Sequence, residues 1–301
     1  MKVWIKALRV SQWTKNVVVF AAWFFAVADA SQAAMARGWR PFALVCAMAA
    51  SFSLVSSAFY LLNDVSDYEA DRLHPVKRNR PIAADLISKI DAVRVALALF
   101  ACGLAFPCYL VFRHPDRTWG FGVILIYTVM QCAYSGFLKH LPYIDVVVIA
   151  AGFVLRAVAG AAAMNVRISP WLLACAFSLS LFLALCKRRH EKLTASDSRA
   201  ALKGYHPRVL DVLIVLAACG TLAVYTCYTL SADTVARFGT RGLVATAVFV
   251  ALGIGRYLWL VYGHGDTGRP EKVLLTDRIL WCILAGYGLA ALGAVLLARA
   301  P

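Results

Sequence analysis

Nine continuous apolar runs, at residues 16–30, 41–62, 86–112, 118–137, 142–164, 169–186, 208–231, 240–261 and 278–298, alternate with polar stretches along the whole chain. A helix needs about 20 residues to cross the hydrocarbon core of a bilayer. Eight of the runs reach or approach that length, and the first draws on residues 10–15 to do so. The runs are continuous rather than alternating with a period of two. Helices are therefore expected instead of barrel strands, because a helix closes its backbone hydrogen bonds within its own segment. No soluble domain, low-complexity tract or flexible linker interrupts the pattern. Residues 1–301 thus read as a single polytopic all-α membrane domain.

Composition strengthens this reading. The 301 residues are 61% apolar and 16% charged, against about half and about a quarter in a soluble domain. The formal charge is +15, which in a soluble protein would suggest nucleic acid. Here the basic residues lie between apolar runs, and no zinc-finger spacing, RNP signature or basic arm accompanies them. Nucleic acid is excluded as a partner, and membrane lipids and anionic substrates are expected instead. With the N-terminus in the cytoplasm, twenty Lys and Arg fall on the inner side, eight on the outer side and three within spans. That asymmetry fits nine transmembrane helices with the C-terminus outside. The basic start, Lys2, Lys6, Arg9 and Lys15, followed by apolar and then small residues, superficially resembles a signal peptide. With eight further runs behind it, it reads as an uncleaved first helix. The nine cysteines form no CxxC pair and sit mostly in apolar runs, as packing residues rather than a disulfide framework or metal site.

Polar residues concentrate in two stretches on the cytoplasmic side, 63–85 and 187–207. The first opens with Asn63-Asp64-Val65-Ser66-Asp67-Tyr68-Glu69-Ala70-Asp71-Arg72. If the second helix continues through it, Asp64, Asp67 and Asp71 share one face at i, i+3 and i+7, beside Asn63. Three like charges at a membrane surface are costly unless a cation neutralises them. Mg2+, which takes hard oxygen ligands and bridges carboxylates to phosphates, is the expected cofactor, with Mn2+ as its chemical alternative. Asn63, Asp64, Asp67 and Asp71 are the expected metal ligands, and the three aspartates the catalytic core. Lys77, Arg78 and Arg80 follow closely. They satisfy either the charge rule for cytoplasmic loops or the residual charge of a metal-bound diphosphate.

The run Asn63–Pro81 is similar to the first Asp-rich motif of the UbiA prenyltransferase superfamily. The nine-span layout resembles that superfamily's helical bundle. Within it, SQWTKN (11–16), residues 134–160, SLFLALCKRRHEKL (180–193) and residues 256–277 resemble the decaprenyl-phosphate phosphoribosyltransferase branch. One departure stands out. Where other members carry a second DxxxD motif, this chain has Lys187-Arg188-Arg189-His190-Glu191-Lys192. A basic site suits a substrate with additional phosphates. Lys187, Arg188 and Glu191 are accordingly expected to contact substrate, with Glu191 the one residue there able to serve as a second metal ligand.

Further cavity residues are expected at Lys15 and Asn16, at Tyr134 and Lys139, which resemble a Tyr…Lys motif of the family, and at Asp145 and Arg156 in the fifth run. Asp145 and Arg156 share a helical face but stand about 16 Å apart along the axis at 1.5 Å per residue, too far to pair directly. An intramembrane arginine lines a polar cavity, bound either to substrate phosphate or to a carboxylate. Arg256 reads as a structural anchor. The resemblance implies a UbiA-type bundle in the bacterial cytoplasmic membrane, its active site facing the cytoplasm, with a lateral path for a lipid tail. It implies transfer of 5-phosphoribose from phosphoribosyl pyrophosphate to a polyprenyl phosphate, feeding cell-envelope glycan synthesis. Prenyl transfer to an aromatic or other small acceptor, and transport of anionic lipids, are the alternatives. A homo-oligomer is left open.

Overall fold

The computed structural model describes residues 2–29, 31–114, 118–194, 202, 204–263, 273 and 276–299. Among the described residues the chain is helical, with no strand. Seven helices are long and apolar enough to cross a membrane: Trp39–Ser66, Lys89–Arg113, Ile144–Met164, Pro170–Leu193, Pro207–Leu230, Gly242–Gly263 and Arg278–Ala298. The other two apolar runs take different forms. Residues 16–30 fold as a 3-10 helix, Val10–Phe20, continued by an α-helix, Ala21–Ala28. Three consecutive valines, Val17 to Val19, disfavour a regular α-helical start there. Residues 118–137 form the shorter helix Trp119–Gly136.

The two polar stretches depart from expectation in opposite directions. The helix Pro170–Thr194 continues past residue 186, so Lys187 to Lys192 ride on a helix rather than in a loop. Arg188 and Lys187 pair with Glu191 at i+3 and i+4, a spacing that supports helix in a polar segment. The helix Trp39–Ser66 extends to the Asp-rich motif but stops there. Asp67, at φ −89° and ψ 8°, separates it from a short helix, Tyr68–Leu73. Of the basic residues in the charge count, Arg117, Arg199, Lys203, Arg269 and Lys272 lie outside the described residues.

The chain divides into two compact units. The first comprises Met1–Phe25, Met35–Phe137 and Leu155–Arg167. Its central helix, Trp39–Ser66, buries Val45, Met48, Phe52, Val55 and Phe59 at alternating spacings of three and four. Against it lies Lys89–Arg113, capped by Ser88, whose hydroxyl accepts the Asp91 amide. The two helices meet closely at Gly103, where an added Cβ would stand 2.8 Å from Val55 Cγ2. Small residues at helix contacts are the usual means of packing in lipid. At the polar end a cluster of Ala7, Leu61, Tyr68, Ile82 and Ile87 holds the N-terminal helix Lys2–Ala7 through partly buried Val3, Trp4 and Leu8.

The second unit comprises Ala26–Ala34, Leu138–Val154 and Ile168–Pro301. Pro170–Thr194 packs on Pro207–Leu230, around a core that includes Phe182, Leu185, Leu210, Ile214, Tyr257 and Val261. Large apolar side chains remain exposed on the spans of both units, among them Leu97, Phe112, Leu216, Leu289 and Leu297. Patches of this kind are unfavourable in water and suited to a bilayer. The protein is a multi-pass membrane protein.

Candidate functional site

The Asp-rich motif of the first unit has two chemically different faces. On one, Asp64 and Asp71 are buried, each only 2% exposed. The Arg80 guanidinium lies between them, its Nη1 donating to Asp64 Oδ1 at 3.1 Å and to Asp71 Oδ2 at 2.6 Å. Arg9 donates to the same Asp64 oxygen at 2.5 Å and stacks over the Tyr60 ring, 4.7 Å from its centroid. On the other face Tyr68 donates to Asp85 and accepts from Arg72, both at 2.6 Å. Lys89 sits over the Tyr68 ring and within 3.6 Å of Glu69. The hydrogen bond to Asp85 raises the Tyr68 phenol above its ordinary range, and burial adds to the rise. This second face fastens the loop after the motif and leaves the first for chemistry.

The helix expected to carry Asp64, Asp67 and Asp71 on one face breaks at Asp67. Among the described residues no three His, Cys, Asp or Glu side chains gather closely enough to hold a metal ion. Asp64 and Asp71 converge as a pair on the Arg80 guanidinium. Asp67 stands half-buried at the break, and its amide donates to the Asn63 carbonyl. The pair still fits Mg2+ or Mn2+: it offers hard oxygens aimed at one cation, and Mg2+ typically takes one or two carboxylates and completes its shell with phosphate and water.

Downstream, Lys77 is half-buried and Arg78 exposed on a single 3-10 turn, Lys77–Asn79. His74 shapes that turn, its Nδ1 accepting the amides of Val76 at 3.1 Å and Lys77 at 3.2 Å. Burial and the neighbouring Lys77 charge lower the His74 pKa, which keeps the ring neutral and able to accept. Lys6 donates to the Asn79 carbonyl at 2.8 Å, tying the N-terminal helix to the same turn.

Deeper in the first unit, Arg156 is buried. It donates to Asn16 Oδ1 at 2.7 Å and to the Tyr127 hydroxyl at 2.9 Å. Asn16 in turn donates to Ser53, and Tyr127 shares a hydrogen bond with Ser56. Asn16 and Arg156, expected separately, therefore meet. Lys15 and Tyr134 are half-buried in this unit.

In the second unit, Asp145 is 1% exposed and Arg188 3% exposed. Arg188 donates from Nε to Asp145 at 2.7 Å and pairs on its other side with Glu191. Tyr205 donates to the second Asp145 oxygen and accepts the Tyr143 amide. Burial, then the Asp145 hydrogen bond, raises the Tyr205 phenol far above its ordinary range. Lys187, with a side chain 31% exposed, approaches Glu191 at 4.0 Å. Lys139 is half-buried on a short turn, Leu138–His140. Arg189 is fastened to Asp211 and stacked on Tyr262. Arg256 bonds Asp277 and holds that carboxyl below its usual range.

Sequence reasoning missed Arg9, Tyr127 and Tyr205. Arg9 looked like one more basic residue of the N-terminus, and neither tyrosine carried any distinguishing spacing.

The profile of the UbiA prenyltransferase family matches residues 17–283. Decaprenyl-phosphate phosphoribosyltransferase of Corynebacterium glutamicum is 36% identical over 92% of this chain and 81% of its own length. The protein of the same name from Mycobacterium tuberculosis is 34% identical over 96% and 93%. Among solved structures, a UbiA homolog from Archaeoglobus fulgidus bound to GPP and Mg2+ superposes with a TM-score of 0.68 at 17% identity, covering 99% of this chain and 98% of that one. At that identity the likeness shows the fold alone.

Proposed function

The chain belongs to the UbiA prenyltransferase family, and we propose that it transfers 5-phosphoribose from phosphoribosyl pyrophosphate to a decaprenyl-type polyprenyl phosphate, releasing pyrophosphate. What carries this reading is the identity of about one third, over more than nine-tenths of the chain, to relatives bearing the name of that activity. The charge character of the two polar clusters supports it. A donor with a diphosphate and a further phosphate, meeting a phosphate acceptor, requires cationic side chains beyond those that serve one diphosphate.

In this reading Asp64 and Asp71, with Asp67 and Asn63, hold Mg2+. A divalent ion held there would supply electrostatic stabilisation of the negative charge that develops on pyrophosphate. Lys77, Arg78 and Arg80 add guanidinium and ammonium donors to the phosphate oxygens as charge accumulates there. The bond from ribose C1 to the pyrophosphate oxygen breaks, and its electron pair leaves with pyrophosphate. A lipid phosphate oxygen forms the new bond to C1. That oxygen is already anionic, so no side chain has to remove a proton. Lys187 is a half-buried ammonium beside the Arg188–Glu191 pair, suited to a phosphate group of donor or acceptor. Asp145 holds Arg188 in place. Asn16 and Arg156 form a buried polar group in the first unit, and Lys15, Tyr134 and Lys139 are assigned as further substrate contacts, each within its own unit.

We place the N-terminus and the active site on the cytoplasmic side of the bacterial inner membrane, with nine crossings. A donor comparison tests the activity. Purified protein supplied with decaprenyl phosphate forms phosphoribosyl lipid from phosphoribosyl pyrophosphate. Turnover of an isoprenyl diphosphate with an aromatic acceptor, and none of phosphoribosyl pyrophosphate, would overturn the proposal.

A further inference from the structure

Asp64 and Asp71 already have a cation between them, and it belongs to the chain. Arg80 spans both carboxylates, while Arg9 meets Asp64 alone. The formal charges of these four side chains sum to zero. A divalent ion entering without its diphosphate must displace Arg80 and leave surplus positive charge beside two buried carboxylates. A diphosphate entering without metal meets those carboxylates as repulsive neighbours. When both enter, every charge finds an opposite: the metal takes the carboxylates and Arg80 takes phosphate oxygens.

The two arginines are held differently. Arg9 has left-handed backbone, φ 50° and ψ 48°, and its guanidinium lies on the Tyr60 ring, which fixes it. Arg80 follows a single 3-10 turn in extended backbone, and of the two it alone reaches both carboxylates; the two side chains are similarly exposed, 29% for Arg9 and 26% for Arg80. One guanidinium is anchored on an aromatic ring, and the other is held by the two carboxylates alone.

We propose that Arg80 is a resident counter-ion. It occupies the metal position between Asp64 and Asp71 in the metal-free protein, and it passes from carboxylate to diphosphate when metal and donor bind together. Arg9 stays on Asp64 throughout and sets the charge balance. The exchange suppresses metal binding without donor and makes Arg80 both the guard of the site and a donor-binding residue. It rests on the reading of Asp64 and Asp71 as the metal pair.

The test is Mn2+ binding by the purified full chain, read by electron paramagnetic resonance on protein retained by ultrafiltration, without acceptor lipid or turnover. Wild type binds Mn2+ weakly in the absence of pyrophosphate. Arg80→Gln binds Mn2+ alone at least tenfold more tightly, Arg80→Lys stays near wild type, and adding Asp71→Asn to Arg80→Gln abolishes the gain. A folded Arg80→Gln protein that binds Mn2+ no more tightly than wild type overturns the exchange. If Arg80→Gln does not fold, Arg9→Gln decides: a gain of several-fold supports the charge balance, and none overturns it. Wild type that retains no Mn2+ even with pyrophosphate overturns the metal reading itself. The exchange alone fails when Mn2+ binds and Arg80→Gln leaves its affinity unchanged.

Discussion

His74 accepts two backbone amides through one ring nitrogen, so the geometry of the turn carrying Lys77 and Arg78 depends on pH. Folding lowers the His74 pKa below 6.5, and the open turn therefore binds the proton more readily than the closed one. The stability this group contributes is complete above about pH 6.5 and is lost as pH falls from there toward the folded value. Hydrogen exchange at Val76 and Lys77 should accelerate between pH 6.5 and 5.5 beyond the intrinsic trend, and His74→Ala should remove the excess. Asp145 makes the complementary case in the second unit. Removing it leaves Arg188 buried with one carboxylate fewer, and a broken buried pair costs about 3–5 kcal/mol. Asp145→Ala should lower thermal stability in detergent far more than substitution of exposed Arg78. At this scale Asp64, Asp71, Arg188 and Glu191 were legible, because acidic and basic residues at helical spacing beside apolar runs demand neutralisation. Arg9 was not, because its contact with Asp64 bridges 55 positions and arises only from tertiary packing. Tyr205, 60 positions from Asp145, was hidden for the same reason.

The helices depend on a few close approaches. An added Cβ at Gly160 would stand 1.8 Å from the Val19 carbonyl oxygen, so the 3-10 segment Val10–Phe20 and the helix Ile144–Met164 could not keep their spacing. Gly160→Ala should destabilise the first unit by at least the ~1–3 kcal/mol of an overpacked core. Gly122→Ala, with nothing within 4 Å of its Cβ position, should be neutral. Thermal unfolding of both variants in one detergent checks the contrast. The positions of most spans were legible, since continuous apolar runs leave little choice of structure. Their polar ends were not. The extension from residue 187 to Thr194 is supported by pairs such as Arg188–Glu191, and hydropathy sees those residues only as loop. The break at Asp67 was equally invisible, because the spacing of Asp64, Asp67 and Asp71 is compatible with unbroken helix.

Taken as a whole molecule, the chain combines an excess of positive charge with a family fold that spans the membrane. The charge asymmetry predicts an N-terminal reporter in the cytoplasm and a C-terminal reporter on the opposite side. Both reporters on one face would require an even number of crossings and a revised layout. The proposed reaction requires the Asp64–Asp71 pair to handle the diphosphate of a phosphoribosyl donor. Its most direct test compares wild type with Asp71→Asn in liposomes containing decaprenyl phosphate, supplied with Mg2+ and ribose-labelled phosphoribosyl pyrophosphate. The account predicts one pyrophosphate released per labelled lipid in wild type, and at least a hundredfold loss of both products in a folded Asp71→Asn protein. Undiminished labelled lipid in that variant, or no labelled lipid from wild type, would contradict it.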